Sequence, residues 1–511
     1  MSALRWRPGR GAALLLAACA GMLHTASFAP LEWWWLQVLA LAGLAALMRD
    51  ASPKRATALG WAFGTGWLAS GLWWLFNSLY LYGHLPAWLS VLAVAVLAAL
   101  LALYYAAAGW LWSRWRSGRP LADAFAWAAA WSLAEIARGT LLTGFPWIAG
   151  GYAHTTGPLA GWAPWIGVYG IGLLAAWLAA GMAFALAARD AAGRLKAVAP
   201  PLLLALAGWV LPQDFTRPSG ELSVTLLQTN VGQDVKFEEA FIERALRWHV
   251  DQLAKARGTL VVSPESSLPL IASQVPESFW EAYAAPFRSG DRGVLLGVFT
   301  GDDEHGYTNS VVGLSAATGV GKAYVYGKRH LLPFGEFIPP GFHWFVAMLN
   351  IPLGDQARGT SHAPFTVGGQ RVRPLICYED LFAENMVDSM AGPDAATVLV
   401  NVSNLAWFGT PMIQDQDLQF SRMRSLEFQR PLVRSTNTGS TAAVDHLGRV
   451  TARMAPDVEG ALDTTVQGRI GETPYARWLG VLWLWPWWVV GVSPALLALA
   501  RRGAARPATR P

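Results

Sequence analysis

Hydrophobic and polar positions fall into three successive patterns along the chain. Up to about residue 211 long apolar runs dominate, rich in Ala, Leu, Trp and Gly. Runs at 11–28, 33–48, 57–80, 87–112, 124–137, 164–188, 197–211 and 478–500 predict eight membrane-spanning helices, against the roughly 20 residues a bilayer demands; the runs at 33–48, 124–137 and 197–211 are short. Between 219 and 472 the pattern shortens to that of a soluble domain. "LSVTLLQTN" reads as a strand and "EEAFIERALRWHVDQLAKARG" as an amphipathic helix. "TLVVSPE" is a buried strand, "PESFWEAYAAPFRSG" a helix, and "GVLLGVFT" a further strand, by the switch between periods 3.6 and 2. Shorter strands follow in "NSVVGLSA", "KAYVYGKRHLLP", "APFTVGG" and "VRPLICYED". Then come a helix from Leu381, the strand "TVLVNVSN", a long helix up to Gln429, and the strands "LVRSTNTG" and "TAAVDH". Strands interleaved with helices predict α/β layers around a mixed sheet. The implied organisation is a seven-helix bundle over 1–211, a linker at 212–219, a soluble domain over 220–472, an eighth span over 473–500 and a basic tail over 501–511.

Charge gives this pattern a direction. Arg5, Arg7 and Arg10 precede the first run, and Arg49, Lys54 and Arg55 follow the second. Basic residues recur at Arg114, Arg116 and Arg119, at Arg189, Arg194 and Lys196, and at Arg501, Arg502, Arg506 and Arg510. The intervening connections carry almost none, Arg138 being the main exception. The positive-inside rule then puts both termini in the cytoplasm and the soluble domain on the other side. The net charge of +5 is accounted for by this topology, so nucleic acid is not an expected partner.

Composition agrees. The chain is 53% hydrophobic and 14% charged, against roughly 25% charged in soluble domains. Its two cysteines, Cys19 and Cys377, form no disulfide framework. Neither the histidines nor the cysteines show metal-ligand spacing, so no metal or other cofactor is expected. "LLLAACAG" around Cys19 imitates a lipoprotein signal, but the apolar run continues to Phe28 and favours an uncleaved helix.

Chemistry concentrates at strand ends. Glu265 closes "TLVVSPE", Lys328 lies in "YVYGKRHLLP", and Cys377 closes "VRPLICYED". Singly, each reads as a surface charge or a small core residue. Together they supply a nucleophile, a general base and a cation for the charge that develops when sulfur attacks a carbonyl. A helix from Leu381 would turn its positive end toward the sulfur, with the Tyr378 backbone N–H as a second donor.

"SPESSLP", "YGKRHLLPFGEFIP" and "CYED" resemble the Glu-Lys-Cys motifs of the nitrilase (carbon–nitrogen hydrolase) superfamily. With eight spans, "NVSNLAWFG" and "RSTNTG", the whole chain resembles the bacterial apolipoprotein N-acyltransferase family. The resemblance implies a multi-pass helical domain in the inner membrane with an inserted αββα sandwich outside the cytoplasm. Glu265 would be the base, Lys328 the charge stabiliser and Cys377 the nucleophile, supported by Glu336, Tyr378 and Glu379. It implies a membrane phospholipid as acyl donor, a diacylated apolipoprotein as acceptor, a Cys thioester between them, and a monomer. One departure is Phe237 in "GQDVKFEE", where the family is expected to carry tryptophan; a substrate contact there is in doubt.

"FIPPGFHWFVAMLNIP", over 337–352, is apolar for a soluble domain. It reads either as an arm touching the membrane, with Trp344 and Phe345 on substrate, or as core. Trp407 and Phe408 are likewise acyl-chain contacts or core aromatics. Arg424, Arg430 and Arg434 meet either lipid phosphate or, as is more usual, helix-face carboxylates. Two other readings remain open at this stage: a membrane-anchored amidase that lets water resolve the thioester, and a transporter with a binding domain. Asp123 and Glu135 are the few acids near the spans that favour transport.

Overall fold

The computed structural model describes residues 8–186, 188, 190–236, 238–316, 318, 323–344, 355–409 and 411–504. The chain forms two compact units: a helical one from the segments up to Phe76, Leu85–Gln213 and from Leu482 onward, and an α/β one from Asn77–His84 and Asp214–Val481.

Helices of the helical unit occupy every apolar run singled out above: Arg10–Thr25, Trp34–Met48, Pro53–Gly71, Ala87–Leu101, Leu103–Trp115, Pro120–Thr140, Ala163–Ala185, Ala191–Ala207 and Trp485–Ala504. Among the described residues two helical runs, Ala87–Trp115 and Pro158–Ala185, are long and apolar enough to cross a membrane. A third is added if Pro474–Leu482 and Trp485–Ala500, bent by 76°, count as one span. Arg10–Thr25 and Trp34–Met48 are apolar but shorter. Ser52 starts one helix by accepting the Arg55 backbone N–H, with Pro53 at the first position, where a missing N–H costs nothing. Helix faces meet through small residues: a Cβ on Gly66 would lie 2.2 Å from the Ala18 carbonyl oxygen, so only glycine permits that approach. Leu15, Trp88 and Leu203 stand well exposed, as expected of a surface that lipid covers.

The acids that favoured transport are structurally committed. Glu135 accepts the Gly150 backbone N–H at 2.7 Å and the Tyr105 hydroxyl. Arg138 donates to the carbonyls of Phe145 and Trp147 at 2.6 and 2.9 Å. This buried network fastens the irregular stretch after Thr140, whose backbone groups would otherwise go unsatisfied. Asp123 accepts the Gly118 N–H at 2.9 Å and the Ser117 hydroxyl at 3.0 Å.

Among the described residues the α/β unit has thirteen strands: β1 (Thr216–Gln228), β2 (Leu260–Val262), β3 (Leu268–Ile271), β4 (Gly293–Asp302), β5 (Gly306–Ser315), β6 (Tyr324–Gly327), β7 (Phe365–Val367), β8 (Gln370–Ile376), β9 (Val398–Ser403), β10 (Leu432–Thr436), β11 (Ala442–Val444), β12 (Val450–Arg453) and β13 (Gly460–Gly471). One sheet runs β13-β1-β2-β4-β5-β6, with β3 also on β4; the other runs β12-β11-β10-β9-β8-β7. Period-two alternation decides the layers. Leu260, Val262 and Leu295 join Ile376, Val400 and Val433 between the sheets. Val261, Val294 and Leu296 point the other way, against Leu253, Phe279 and Tyr283 of the helices Glu239–Lys255 and Glu277–Ala284. The helix Pro411–Phe428 lies against the second sheet. The order is helix, sheet, sheet, helix: an αββα sandwich. Each fully buried Val, Leu or Ile in it contributes about 1.5–3 kcal/mol. Within both sheets β1-β2-β4 and β8-β9-β10 run parallel, so several carboxyl ends converge on one side.

Candidate active site

Glu265 sits in the turn that leaves β2, where Ser266 adopts φ +46°. Gly297 on β4 lets that turn approach: a Cβ there would lie 2.1 Å from the Pro264 carbonyl oxygen. The Glu265 carboxylate is buried and held from two sides. Its Oε1 accepts Asn309 Nδ2 of β5 at 2.7 Å, and its Oε2 accepts the Asn404 backbone N–H at 2.8 Å.

Lys328 directly follows β6 and is 1% exposed. Its backbone is pinned on both sides, N–H to the Asn309 carbonyl and carbonyl to the Gly359 N–H, each at 2.8 Å. The ammonium Nζ lies 2.7 Å from Glu336 Oε1 and 3.6 Å from Glu265 Oε1. Glu336 is fixed in turn by Asn309 Nδ2 at 3.2 Å and by the Leu332 N–H at 2.8 Å. Burial pushes the Glu265 carboxyl up, against the opposing pull of the Lys328 charge. Lys328 is pushed up as well: burial pulls it down, but its two carboxylates outweigh that desolvation.

Cys377 follows β8 at φ +52°, a left-handed conformation that costs a non-glycine residue on the order of 1–3 kcal/mol and marks functional turns. Three attachments hold it. Asn401 Nδ2 of β9 donates to the Cys377 carbonyl at 3.0 Å. Glu379 Oε2 accepts the Ile376 N–H and the Tyr326 hydroxyl, both at 2.8 Å. Glu379 Oε1 accepts the backbone N–H groups of Arg329 and His330 at 2.7 and 3.2 Å. One carboxylate therefore ties the nucleophile turn to the segment carrying Lys328. Tyr378 is buried, its ring 5.7 Å from His330 and 5.1 Å from Phe382.

The helix expected from Leu381 is not there. Residues Cys377–Leu381 form a 3₁₀ turn, followed by the short turns Ala383–Asn385 and Val387–Ser389. That turn gives the sulfur no α-helix of its own. Burial, and next the Glu265 carboxylate, push the half-buried thiol well above its usual range, with Lys328 opposing. The group rests as a thiol, so nucleophilic attack needs a proton acceptor at hand.

The comparisons with known proteins match both halves of the chain. The apolipoprotein N-acyltransferase N-terminal domain family matches residues 20–181, and the carbon–nitrogen hydrolase family matches 224–475. A protein of Ralstonia nicotianae described as apolipoprotein N-acyltransferase is 47% identical, over 95% of this chain and 93% of its own length. Another of that description, from Verminephrobacter eiseniae, is 46% identical over 93% and 92%. The chain belongs to the apolipoprotein N-acyltransferase family. A carbon–nitrogen hydrolase superfamily structure from Xanthomonas campestris superposes with a TM-score of 0.37 at 17% identity, covering 52% of this chain and 96% of that one.

Within this family member, Glu265, Lys328, Glu336 and Glu379 share one connected region with Cys377. Phe237 and Phe345 lie outside the described residues. Trp344 is 66% exposed, and beside it Phe334 and Phe342 meet edge to face at 5.3 Å. Trp407 is partly exposed and meets Tyr82 edge to face at 5.2 Å. Asn77 Nδ2 donates to the Phe408 carbonyl at 2.8 Å. The arginines turn inward. Arg424, Arg430 and Arg434 are all buried, with Arg424 on Glu427 at 3.0 Å and Arg434 on Asp380 at 2.9 Å. Arg430 donates to the carbonyls of Ala396 and Gly471, so none is placed to meet a lipid phosphate.

Sequence reasoning passed over Asn309, Asn401 and Asn404. Each is a polar residue within or closing an otherwise apolar strand, "YTNSVVG" or "TVLVNVSN", and that interruption is the signal that marks them.

Proposed function

We propose that the chain transfers an acyl group from a membrane phospholipid to the α-amine of an apolipoprotein's N-terminal diacylglyceryl-cysteine, through a thioester on Cys377. The observation that carries this reading is the half-buried thiol at φ +52° beside the paired Glu265 and Lys328, in a chain whose relatives are apolipoprotein N-acyltransferases. Glu265 takes the thiol proton as sulfur attacks the ester carbonyl, and Lys328 stabilises the oxyanion. Collapse breaks the ester C–O bond, and Glu265 returns the proton to the departing lysophospholipid alkoxide. The acceptor amine then attacks the thioester, forming the amide C–N bond. Glu265 takes the amine proton and passes it to the leaving thiolate, closing a ping-pong cycle. Glu336, Glu379 and the Tyr378 backbone support these groups.

The eight apolar runs cross the inner membrane, both termini lie in the cytoplasm, and the α/β domain lies outside it. The basic connections support this arrangement. The arm 337–352, with its exposed Trp344, shields the thioester from water, and the enzyme works as a monomer. Trp407 and Phe408 line the acyl chain.

Incubation with phosphatidylethanolamine vesicles alone should give a hydroxylamine-sensitive acyl adduct on Cys377, found by mass spectrometry, and about one lysophospholipid per enzyme. Cys377→Ala should give neither. Continuous release of free fatty acid would instead assign a hydrolase, and N-acylation by Cys377→Ala would remove the nucleophile.

A further inference from the structure

Lys236 is a second lysine at the site with no role assigned above. It lies between the end of β1 and the helix Glu239–Lys255 and is 5% exposed. A lysine almost never reaches that burial without a partner. Among the described residues its ammonium has no hydrogen-bond partner. It lines a small pocket together with Thr229, Phe241, Glu265, Ser267 and Asn437. Of the groups facing that cavity, only Glu265 carries opposite charge. Asp234 and Glu238, on the lysine's own segment, are exposed. Glu265 is faced from elsewhere by Lys328, Glu336 and Asn309, by the Asn404 backbone, and by the Cys377 thiol.

Glu265 and Glu336 both lie on the single ammonium of Lys328, at 3.6 and 2.7 Å. Two buried carboxylates on one cation leave an excess negative charge, in the place where an oxyanion must develop. Such an excess relieves itself by protonating a carboxylate, and Glu336, with its 2.7 Å bond, holds the cation more closely. Glu265 is then the group that would be neutralised and lost as a base.

We propose that Lys236 is the charge-balancing cation of the active site, a positioning residue that keeps Glu265 ionised and so able to accept the proton from Cys377. The role rests on the reading of Glu265 as general base. It fits the lysine's titration: burial pulls Lys236 down to about 8, with Glu265 opposing. The ammonium is thus present at neutral pH and lost in mild alkali. Acylation should therefore rise as Glu265 ionises and fall as Lys236 loses its proton.

The test is the pH profile of the lysophospholipid burst, using full-length enzyme in detergent with phosphatidylethanolamine vesicles. Wild type should show two limbs, the alkaline one near 8. Lys236→Met should be about tenfold slower at the wild-type optimum, the effect of one unit of pKa. Its acid limb should move to higher pH, because removing a cation raises the Glu265 pKa, and its alkaline limb should vanish. Lys236→Arg should restore the burst to within about twofold, with the alkaline limb displaced upward because guanidinium keeps its charge. A Lys236→Met profile merely scaled down with both limbs in place would overturn the proposal, as would an arginine variant no better than methionine. If Lys236→Met does not fold, the arginine variant decides: an alkaline limb still near 8 overturns the assignment. Glu265→Gln separates the two levels. If it keeps the wild-type acid limb, the base reading fails; if it loses that limb while Lys236→Met leaves it unmoved, only the role of Lys236 fails.

Discussion

Around Arg434 the α/β unit buries charge away from any pocket; around Lys328 it buries charge at the edge of a small one. The Arg434 guanidinium reaches Asp380, Asp417, Ser421 and Ser403, and neither aspartate is more than 2% exposed. Two carboxylates share one guanidinium, whose planar fork spreads donors to both. The Lys328 cluster has the same ratio of charges but a compact ammonium, a small pocket at its edge, and a half-buried thiol. Burial pushes Asp417 up to about 7 against the pull of Arg434, and pushes Glu265 up as well, so each cluster has a carboxylate that can take up a proton; only the second sets that carboxylate beside a thiol.

Breaking each cluster should therefore fail differently. Arg434→Met strands Asp380 and Asp417 without solvent access, and removal of one partner of a buried pair costs about 3–5 kcal/mol. Chemical denaturation should show that loss, with poor yield of folded enzyme. A variant as stable as wild type would mean that water reaches the cluster. Lys328→Met should instead act on the reaction. Loss of one oxyanion donor costs about 10²–10³ in rate, read as the burst of lysophospholipid, while Glu265 and Glu336 relieve their repulsion by taking up a proton. A larger fall in stability than for Arg434→Met would reverse the comparison.

A third buried titratable group sharpens the contrast because it is not paired with a charge. His249 is fully buried on the helix Glu239–Lys255, its Nδ1 2.7 Å from the Ala245 carbonyl. Burial pushes its imidazole down to about 4, whereas the unfolded chain titrates near 6.5. Between those values the unfolded state binds more protons, so the stability that neutral His249 permits is complete above 6.5 and lost as pH falls toward 4. The loss amounts to about 3 kcal/mol at most. His249→Gln should flatten that slope in urea titrations; an unchanged slope would put the acid sensitivity in the carboxylate clusters.

The triad residues were legible because strand-end charges break an apolar period and the motifs around them are specific. So were the outer helices Glu239–Lys255 and Glu277–Ala284, whose periodicity is strong. The polar contacts that hold the triad were not, because Asn309 and Asn401 lie inside strands that read as core, and nothing local says which carboxylate each will meet. The stretch after Cys377 misled for a physical reason. "CYEDLFAENM" has helical composition, but Glu379 spends its carboxylate on the backbone of Ile376, Arg329 and His330. Asp380 is likewise drawn to Arg434, and the chain is pulled into 3₁₀ turns. Tertiary contacts there outweigh propensity.

The smallest expected effect lies where the two clusters are joined. Arg434 Nη2 donates to Ser403 Oγ at 3.1 Å, Ser403 donates to Asn401 Oδ1, and Asn401 Nδ2 donates to the Cys377 carbonyl at 3.0 Å. The locked cluster thereby reaches the strained backbone of the reactive one through two neutral side chains. A single such hydrogen bond contributes about 0.5–1.5 kcal/mol net, comparable to part of the cost of holding Cys377 at φ +52°. Asn401→Ala should slow acylation by about two- to tenfold, as that energy converts, with KM for the phospholipid unchanged because no substrate contact is removed. Asn401→Asp should not rescue it, since a carboxylate cannot donate to the Cys377 carbonyl. Asn401→Gln should fail as well, its longer stem displacing the amide from Ser403. If Asn401→Ala instead raises KM and spares the burst rate, the asparagine shapes the substrate pocket, and the nucleophile turn is held by Glu379 alone.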